Sequence, residues 1–258
     1  MAAKTATELE RLRAYRREGF ARNTDHAERF AHGEAFFTPA HPTKWDLNLL
    51  LVDDATGTSA EALIAEAERL QAPAGLRHRK IEVLRGGDPL VEDFRAAGWS
   101  AERIVVMVLG TGGDHRGGAP AAVREVGFPA VRGLMEQWYR EAMSAAEARD
   151  LADADAETAT RSGARYFLAE RDGEPAACCM LLAGAGGIGQ VEEVYTAVRH
   201  RGAGLASAVV RAAVAAARER GDDLIVIMAD ADDWPQRLYE RLGFETVDAY
   251  RAFTRKPG

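Results

Sequence analysis

The chain has 258 residues, of which 47% are apolar, 28% charged and 7% aromatic; this supplies one large or two small globular cores and excludes a disordered or fibrous polymer. A formal charge of −7, with acidic residues in excess in both halves, excludes a basic domain suited to the nucleic-acid backbone. The first eight residues hold no apolar run, and stretches such as Ile104 to Leu109 fall far short of the roughly 18 residues of a membrane span, so a cytoplasmic protein with neither nucleic-acid nor membrane partners is expected.

In chain order, Trp45 to Val52 reads as a strand. Ser59 to Gln71 reads as a helix with apolar residues at Leu63, Ile64, Ala67 and Leu70. A strand over Arg79 to Leu84, a helix over Pro89 to Ala97 ended by Gly98, and a strand over Arg103 to Leu109 follow. Gly110 to Pro120 then reads GTGGDHRGGAP, five glycines in eleven residues, whose backbone entropy disfavours packed structure; a linker over 111–120 is predicted there. Beyond it come a strand from Ala121 to Val126, a helix from Pro129 to about Met143, and an Ala-rich helical stretch to about Thr160. Arg165 to Arg171 and Ala176 to Leu182, joined through Asp172-Gly173, form a predicted hairpin. The chain closes with a strand (Ile188 to Tyr195), a helix (Leu205 to Arg220), a strand (Leu224 to Met228), a helix (Pro235 to Leu242) and a strand (Phe244 to Phe253). The adjacent Cys178 and Cys179 read as core thiols, and the six histidines include no i, i+4 pair, so no metal site is expected.

Both halves thus end in strand-helix-strand-helix-strand. Gly98-Trp99 and Gly243-Phe244 are 145 residues apart, and the same offset carries Arg79–Leu84 onto Leu224–Ala229 and Ser59–Gln71 onto Gly204–Ala216. This constant spacing points to a duplication.

The most informative stretch runs from Val194 to Ala206, where a strand ends and a long helix begins. Glycines there let backbone N–H groups approach an anion, and the helix N-terminus adds partial positive charge, so a phosphate or pyrophosphate is the natural occupant. A P-loop is excluded because no Lys-Ser or Lys-Thr follows the glycines. A dinucleotide fold fits poorly: Ser207 takes the third glycine position, only 28 residues follow Asp230, and an antiparallel hairpin precedes the loop. Arg201-Gly202-Ala203-Gly204-Leu205-Ala206 instead resembles the R-x-x-G-x-[GA] pyrophosphate motif of the GNAT superfamily of acyl-CoA-dependent N-acyltransferases. Leu238-Tyr239-Glu240-Arg241-Leu242-Gly243-Phe244 is similar to that family's Leu-Tyr-x-x-Leu-Gly-Phe ending. The likeness covers about half the chain, from Ala121 to Lys256. Val198 departs from the proline often found three residues before the motif arginine, and Asp232 from the asparagine often found seven before the tyrosine.

The resemblance implies an α/β fold with mixed sheets flanked by helices, built as two tandem GNAT-like domains. Its implied co-substrate is acetyl-CoA, held by Val194, Tyr195, Thr196, Arg201, Gly202, Ala203, Gly204, Leu205 and Ala206, with no metal. Its implied acceptor is an amine on a small molecule or a peptide. In this family a carboxylate commonly takes the amine proton and the helix tyrosine protonates the departing sulfur, which implies a catalytic role for Tyr239. Adjacent strand residues alternate between faces, so only one of Glu192 and Glu193 should face the substrate. Glu192 is favoured because alternation places it with Val194 and Thr196, and Glu193 with Tyr195. Asp230, Asp232 and Asp233 read as a solvated loop able to attract a cation and are not assigned to catalysis.

The 145-residue offset maps Arg201 onto Thr56, Gly202 onto Gly57, Gly204 onto Ser59, Glu192 onto Leu47 and Tyr239 onto Phe94. Residues 1–110 are therefore expected to form a degenerate GNAT-like domain without cofactor binding, and residues 121–258 the N-acetyltransferase domain. The alternative is a non-catalytic acyl-CoA-binding sensor or scaffold on the same duplicated fold.

Overall fold

The computed structural model describes residues 6–110, 122–183 and 186–257; the glycine-rich linker expected over 111–120 lies outside them. The elements are α1 (Ala6–Asn23), β1 (His26–Phe30), β2 (Gly33–Phe37), β3 (Leu49–Val52), α2 (Ala60–Gln71), β4 (Arg79–Val83), α3 (Val91–Ala96) and β5 (Ser100–Leu109). They continue with β6 (Val123–Val126), α4 (Phe128–Tyr139), α5 (Ala145–Ser162), β7 (Arg165–Arg171), β8 (Glu174–Ala183), β9 (Ile188–Thr196), α6 (Leu205–Glu219), β10 (Leu224–Asp230), α7 (Pro235–Arg241) and β11 (Phe244–Arg255). The fold is mixed α/β, as expected, and the repeat is visible in its pairing. In each half an antiparallel meander (β1-β2-β3, β7-β8-β9) leads through a helix (α2, α6) to a strand parallel to the meander's last member.

Two compact units result, and they interleave along the chain. The N-terminal unit comprises Phe20–Val105, Ala229–Asp233 and the residues from Asp248 onward; the C-terminal unit comprises the residues up to Gly19, Val106–Met228 and Trp234–Val247. In the N-terminal unit the strands run in the order β1-β2-β3-β4-β11-β5. Its closing strand comes from the far end of the chain: β11 pairs antiparallel with β4, Phe253 opposite Ile81. Apolar faces of β3, β4 and α2 meet there, with Leu50, Val52, Leu63, Ala67, Ile81 and Phe94 buried around Phe253. The Phe94 and Phe253 rings stack at 3.9 Å between centroids.

In the C-terminal unit β10, β9, β8, β7 and β6 follow one another. On one side α4 and α5 cover Tyr166, Leu168, Cys178, Met180 and Tyr195. Amphipathic α6 lies against β7, β8 and β9, burying Val209, Val210, Ala213 and Ala217. A capping box of Ser144 and Glu147 starts α5, and Gly163, in the left-handed region at φ 62, ends it.

Several sequence expectations change. The strand expected from Trp45 starts only at Leu49, because Trp45–Leu47 forms a 3-10 turn whose Asn48 side chain ties back to the His41 and Lys44 carbonyls. The helix expected from Pro89 is a 3-10 turn over Asp88–Leu90 followed by α3. Helix α1 and the β1-β2 hairpin have no counterpart in the sequence reading. Helix α1 is rich in charged residues; it buries Leu12 and Tyr15, and Arg11 makes a bidentate pair with Asp223 and a bond to the Gly186 carbonyl.

Candidate active site

Strand β9 is where regular pairing breaks. It pairs with β8 through Thr196, yet its parallel pairing with β10 ends at Val191 opposite Ile227. From Glu192 onward β9 parts from β10 while staying on β8, which opens a wedge between the two parallel strands. The bulge responsible lies at Glu193, a non-glycine residue at φ 53, opposite the register shift between Cys178 and Met180. Holding a glutamate there costs of order 1–3 kcal/mol, a strain typical of sites where geometry matters more than stability.

The bulge overturns the expected alternation. Glu192 pairs with Met180 and Tyr195 with Cys178; Met180 and Cys178 share one face of β8, so Glu192 lies on the side of Tyr195, the side covered by α4 and α5. Glu193 acts on that side too. Burial, then the Glu193 charge, pushes the Tyr139 and Tyr166 phenols and the Cys178 thiol well above their ordinary values. Tyr139 donates its hydroxyl hydrogen to buried Asp155, and Glu192 accepts from the Gln190 amide. Both glutamates thus belong to the same half-buried region.

Beyond β9, Val198–His200 makes a 3-10 turn and Gly202 and Gly204 adopt φ 79 and 78. These values explain the glycines, since an L side chain is strained there. Gly204 is the N-cap of α6 and offers no side chain, and a Cβ at Gly202 would meet nothing within 4 Å. The first-turn amides of α6 are therefore left for a ligand or solvent. The N-terminus of α2 differs: Ser59 Oγ accepts from the Ala62 amide at 3.2 Å, closing the end that Gly204 leaves open. Thr196 Oγ1 is buried with no hydrogen-bond partner among the described residues. An orphaned hydroxyl at the parted end of β9, beside an uncapped helix start, fits an amide-bearing pantetheine arm and a pyrophosphate.

Arg201 is held by its neighbours. Its Nε donates to the Thr196 carbonyl at 3.1 Å, and one Nη donates to both carboxylate oxygens of Glu141 at 2.9 and 3.0 Å. Glu141 also accepts from the Tyr195 hydroxyl at 2.9 Å, and the Tyr195 ring stacks on Trp138. Partial burial raises the Glu141 carboxyl, but the bonds from Arg201 and Tyr195 outweigh it and hold the group below its ordinary value. Tyr195 is pushed up to about 12 by burial and by Glu141. The sequence reading missed Glu141, which sits in the turn between α4 and α5, and no local motif marks it.

Tyr239 is buried on α7 and meets Phe244 edge-on, with centroids 6.3 Å apart. The structure thus joins Tyr195 and Arg201 through Glu141 and ties Thr196 to Arg201, while Tyr239 stands on a separate helix of the same unit. In the first half the corresponding Phe94 is a core ring. There the constant offset slips within the strand: Leu51 pairs with Glu82 as Val191 pairs with Ile227, so Val52, not Leu47, occupies the place of Glu192. The reason is that β9 carries the bulged, parted extension that β3 lacks.

The site is thus a mixed sheet with a parted strand feeding an uncapped, glycine-led helix. The profile of the acetyltransferase (GNAT) family matches residues 133–244, which span the bulge, the glycine loop and Tyr239. This part of the chain is a GNAT domain. Among solved structures, a conserved protein of unknown function from Staphylococcus epidermidis is similar with a TM-score of 0.71 and 11% identity, over 90% of this chain and 93% of that one. A GCN5-related N-acetyltransferase from Kribbella flavida gives 0.62 and 18% over 100% and 97%, and a tandem GNAT protein from the clavulanic acid biosynthesis pathway gives 0.54 and 17% over 77% and 70%. At such identities these likenesses establish the fold, including its tandem arrangement. No curated protein matches the chain by sequence. Among the described residues no helix is long and apolar enough to cross a membrane, and no group of three or more His, Cys, Asp or Glu side chains is placed to hold a metal ion.

Proposed function

We propose that the chain is a cytoplasmic N-acetyltransferase that moves an acetyl group from acetyl-CoA to a primary amine of a small-molecule or peptide acceptor by direct attack. The observation that carries this reading is the uncapped start of α6 directly after the parted, bulged end of β9. Backbone groups of Val194, Tyr195 and Thr196 line the pantetheine arm, and the Arg201–Ala206 loop (Arg201, Gly202, Ala203, Gly204, Leu205, Ala206) receives the pyrophosphate. Acetyl-CoA, when bound, supplies a thioester carbonyl that the amine nitrogen attacks as the carbon–sulfur bond breaks. Glu192 holds the proton lost by the amine, and Tyr239 gives its hydroxyl proton to the departing sulfur. The family match and the shared unit of Glu192, Tyr239 and the loop support these roles.

Residues 1–110 are, in this reading, the coding half of a degenerate copy joined through 111–120 to an acetyltransferase half at 121–258, with the exchange that the residues up to Gly19 belong to the acetyltransferase unit while Ala229–Asp233 and the residues from Asp248 onward belong to the degenerate one. Ser59 fills the helix end that would take pyrophosphate, Val52 replaces the carboxylate, and Phe94 replaces the phenol. Tyr239→Phe tests the enzyme reading with a panel of amines. Turnover is expected to fall by about 100-fold or more while acetyl-CoA affinity stays within about twofold. Unchanged turnover removes the tyrosine from the mechanism, and acetyl-CoA binding without wild-type turnover on any amine favours the non-catalytic sensor.

A further inference from the structure

Glu141 stands outside every motif, yet one carboxylate meets two elements of the proposed acetyl-CoA site. Its two oxygens take a single Nη of Arg201, and Oε1 also takes the Tyr195 hydroxyl. Arg201 leads the glycine loop, and Tyr195 lies on the parted end of β9. The guanidinium is fixed from a second direction by the Thr196 carbonyl and lies 5.9 Å from the centroid of the Tyr195 ring. The pair is largely exposed, with Arg201 and Glu141 side chains 46% and 38% accessible, so its worth to folding is small. An exposed bridge of this kind does more by fixing geometry than by adding stability. A flexible arginine otherwise surrenders rotamer freedom when it meets an anion.

We propose that Glu141 is a positioning residue for acetyl-CoA: it holds Arg201 beside the α6 amides and braces the pantetheine-binding strand through Tyr195, so the site is formed before the ligand arrives. Arg201 keeps its second Nη group for the pyrophosphate while Glu141 and Thr196 occupy its other donors. The inference rests on the acetyl-CoA reading above. The sign of the effect is definite, because Glu141 is an anion next to the proposed anion site. Simple repulsion predicts tighter acetyl-CoA binding when its charge is removed; positioning predicts weaker binding.

The test is a double-mutant cycle in acetyl-CoA affinity, measured by calorimetry on the full-length chain with Glu141→Gln, Arg201→Gln and the double variant; Tyr195→Phe serves as the second route to Glu141. Glu141→Gln is expected to weaken binding about 3- to 10-fold, with its melting temperature close to the wild type because the side chain is exposed. The double variant is expected to bind no more weakly than Arg201→Gln alone, the non-additivity of residues acting as a unit, and Tyr195→Phe to weaken binding by a smaller factor. Unchanged or tighter binding by Glu141→Gln, or additive losses in the double variant, overturns the positioning role while leaving the acetyl-CoA reading intact. Absence of acetyl-CoA binding by the wild type overturns both.

Discussion

Replacing Phe253 by alanine removes a ring from the core of a unit that is otherwise encoded mainly by the first half of the chain. Phe253 is fully buried, stacks on Phe94 at 3.9 Å between centroids, and sits on the strand paired to β4. Phe94 in turn meets Trp99 edge-on, so the deletion leaves a cavity lined by a fixed aromatic pair and by the packed aliphatic side chains of β3, β4 and α2. Phe→Ala at such a site costs about 3–5 kcal/mol, the lost transfer energy plus the cavity term. Phe253→Leu, which refills most of the volume, costs about 1 kcal/mol. Urea unfolding of full-length variants measures the size of the loss. Hydrogen exchange measures its place: protection should fall in Leu49–Val52, Ala60–Gln71 and Arg79–Val83 before it falls in Leu205–Glu219. A loss below about 1 kcal/mol, or an exchange increase centred on α6, would refute the assignment of the chain's last strand to the N-terminal unit.

His78 is buried, stacked on Trp45, with Nε2 3.0 Å from the Asn48 carbonyl, and burial pushes its pKa down to about 4. Because the unfolded chain binds this proton more readily, His78 costs stability as pH falls from about 6.5 to about 4, up to about 3 kcal/mol; His78→Gln should flatten that limb of the stability profile, and an unaltered slope would contradict it. Cys178 and Cys179 are both buried, with thiols pushed far above their ordinary range by burial. The native protein should therefore resist Ellman's reagent at pH 8, and both thiols should react once urea unfolds it; rapid labelling of the native state would show an opening that the packing does not.

Much of this architecture is legible in the sequence where local chemistry decides. The apolar spacing of Leu63, Ala67 and Leu70, the glycines ending α3 and α7, and the Asp172-Gly173 turn each fix an element by themselves. The loop from Arg201 to Ala206 is legible for the same reason, since two glycines at positive φ are required before a helix whose end stays open. What could not be read depends on distant partners. Strict alternation assigns Glu192 and Glu193 to opposite faces, and nothing in a Val-Glu-Glu-Val run announces a bulge with a glutamate at φ 53. The Arg201 to Glu141 bridge spans 60 residues, and α1 is fixed to Asp223 across 212. The pairing of β11 with β4, where β4's own successor β5 would be the local choice, is a matter of topology that periodicity leaves open.

The central claim is that the start of α6 receives the pyrophosphate of acetyl-CoA. It is tested most directly by titrating acetyl-CoA into the full-length protein by calorimetry, beside a Gly202→Glu, Gly204→Glu double variant whose carboxylates fill and repel that space. Saturable one-to-one binding by the wild type, abolished in a variant that keeps the wild-type circular dichroism spectrum, is the predicted result. Equal binding by both proteins would place the ligand elsewhere, and no binding by the folded wild type would contradict the enzyme reading altogether.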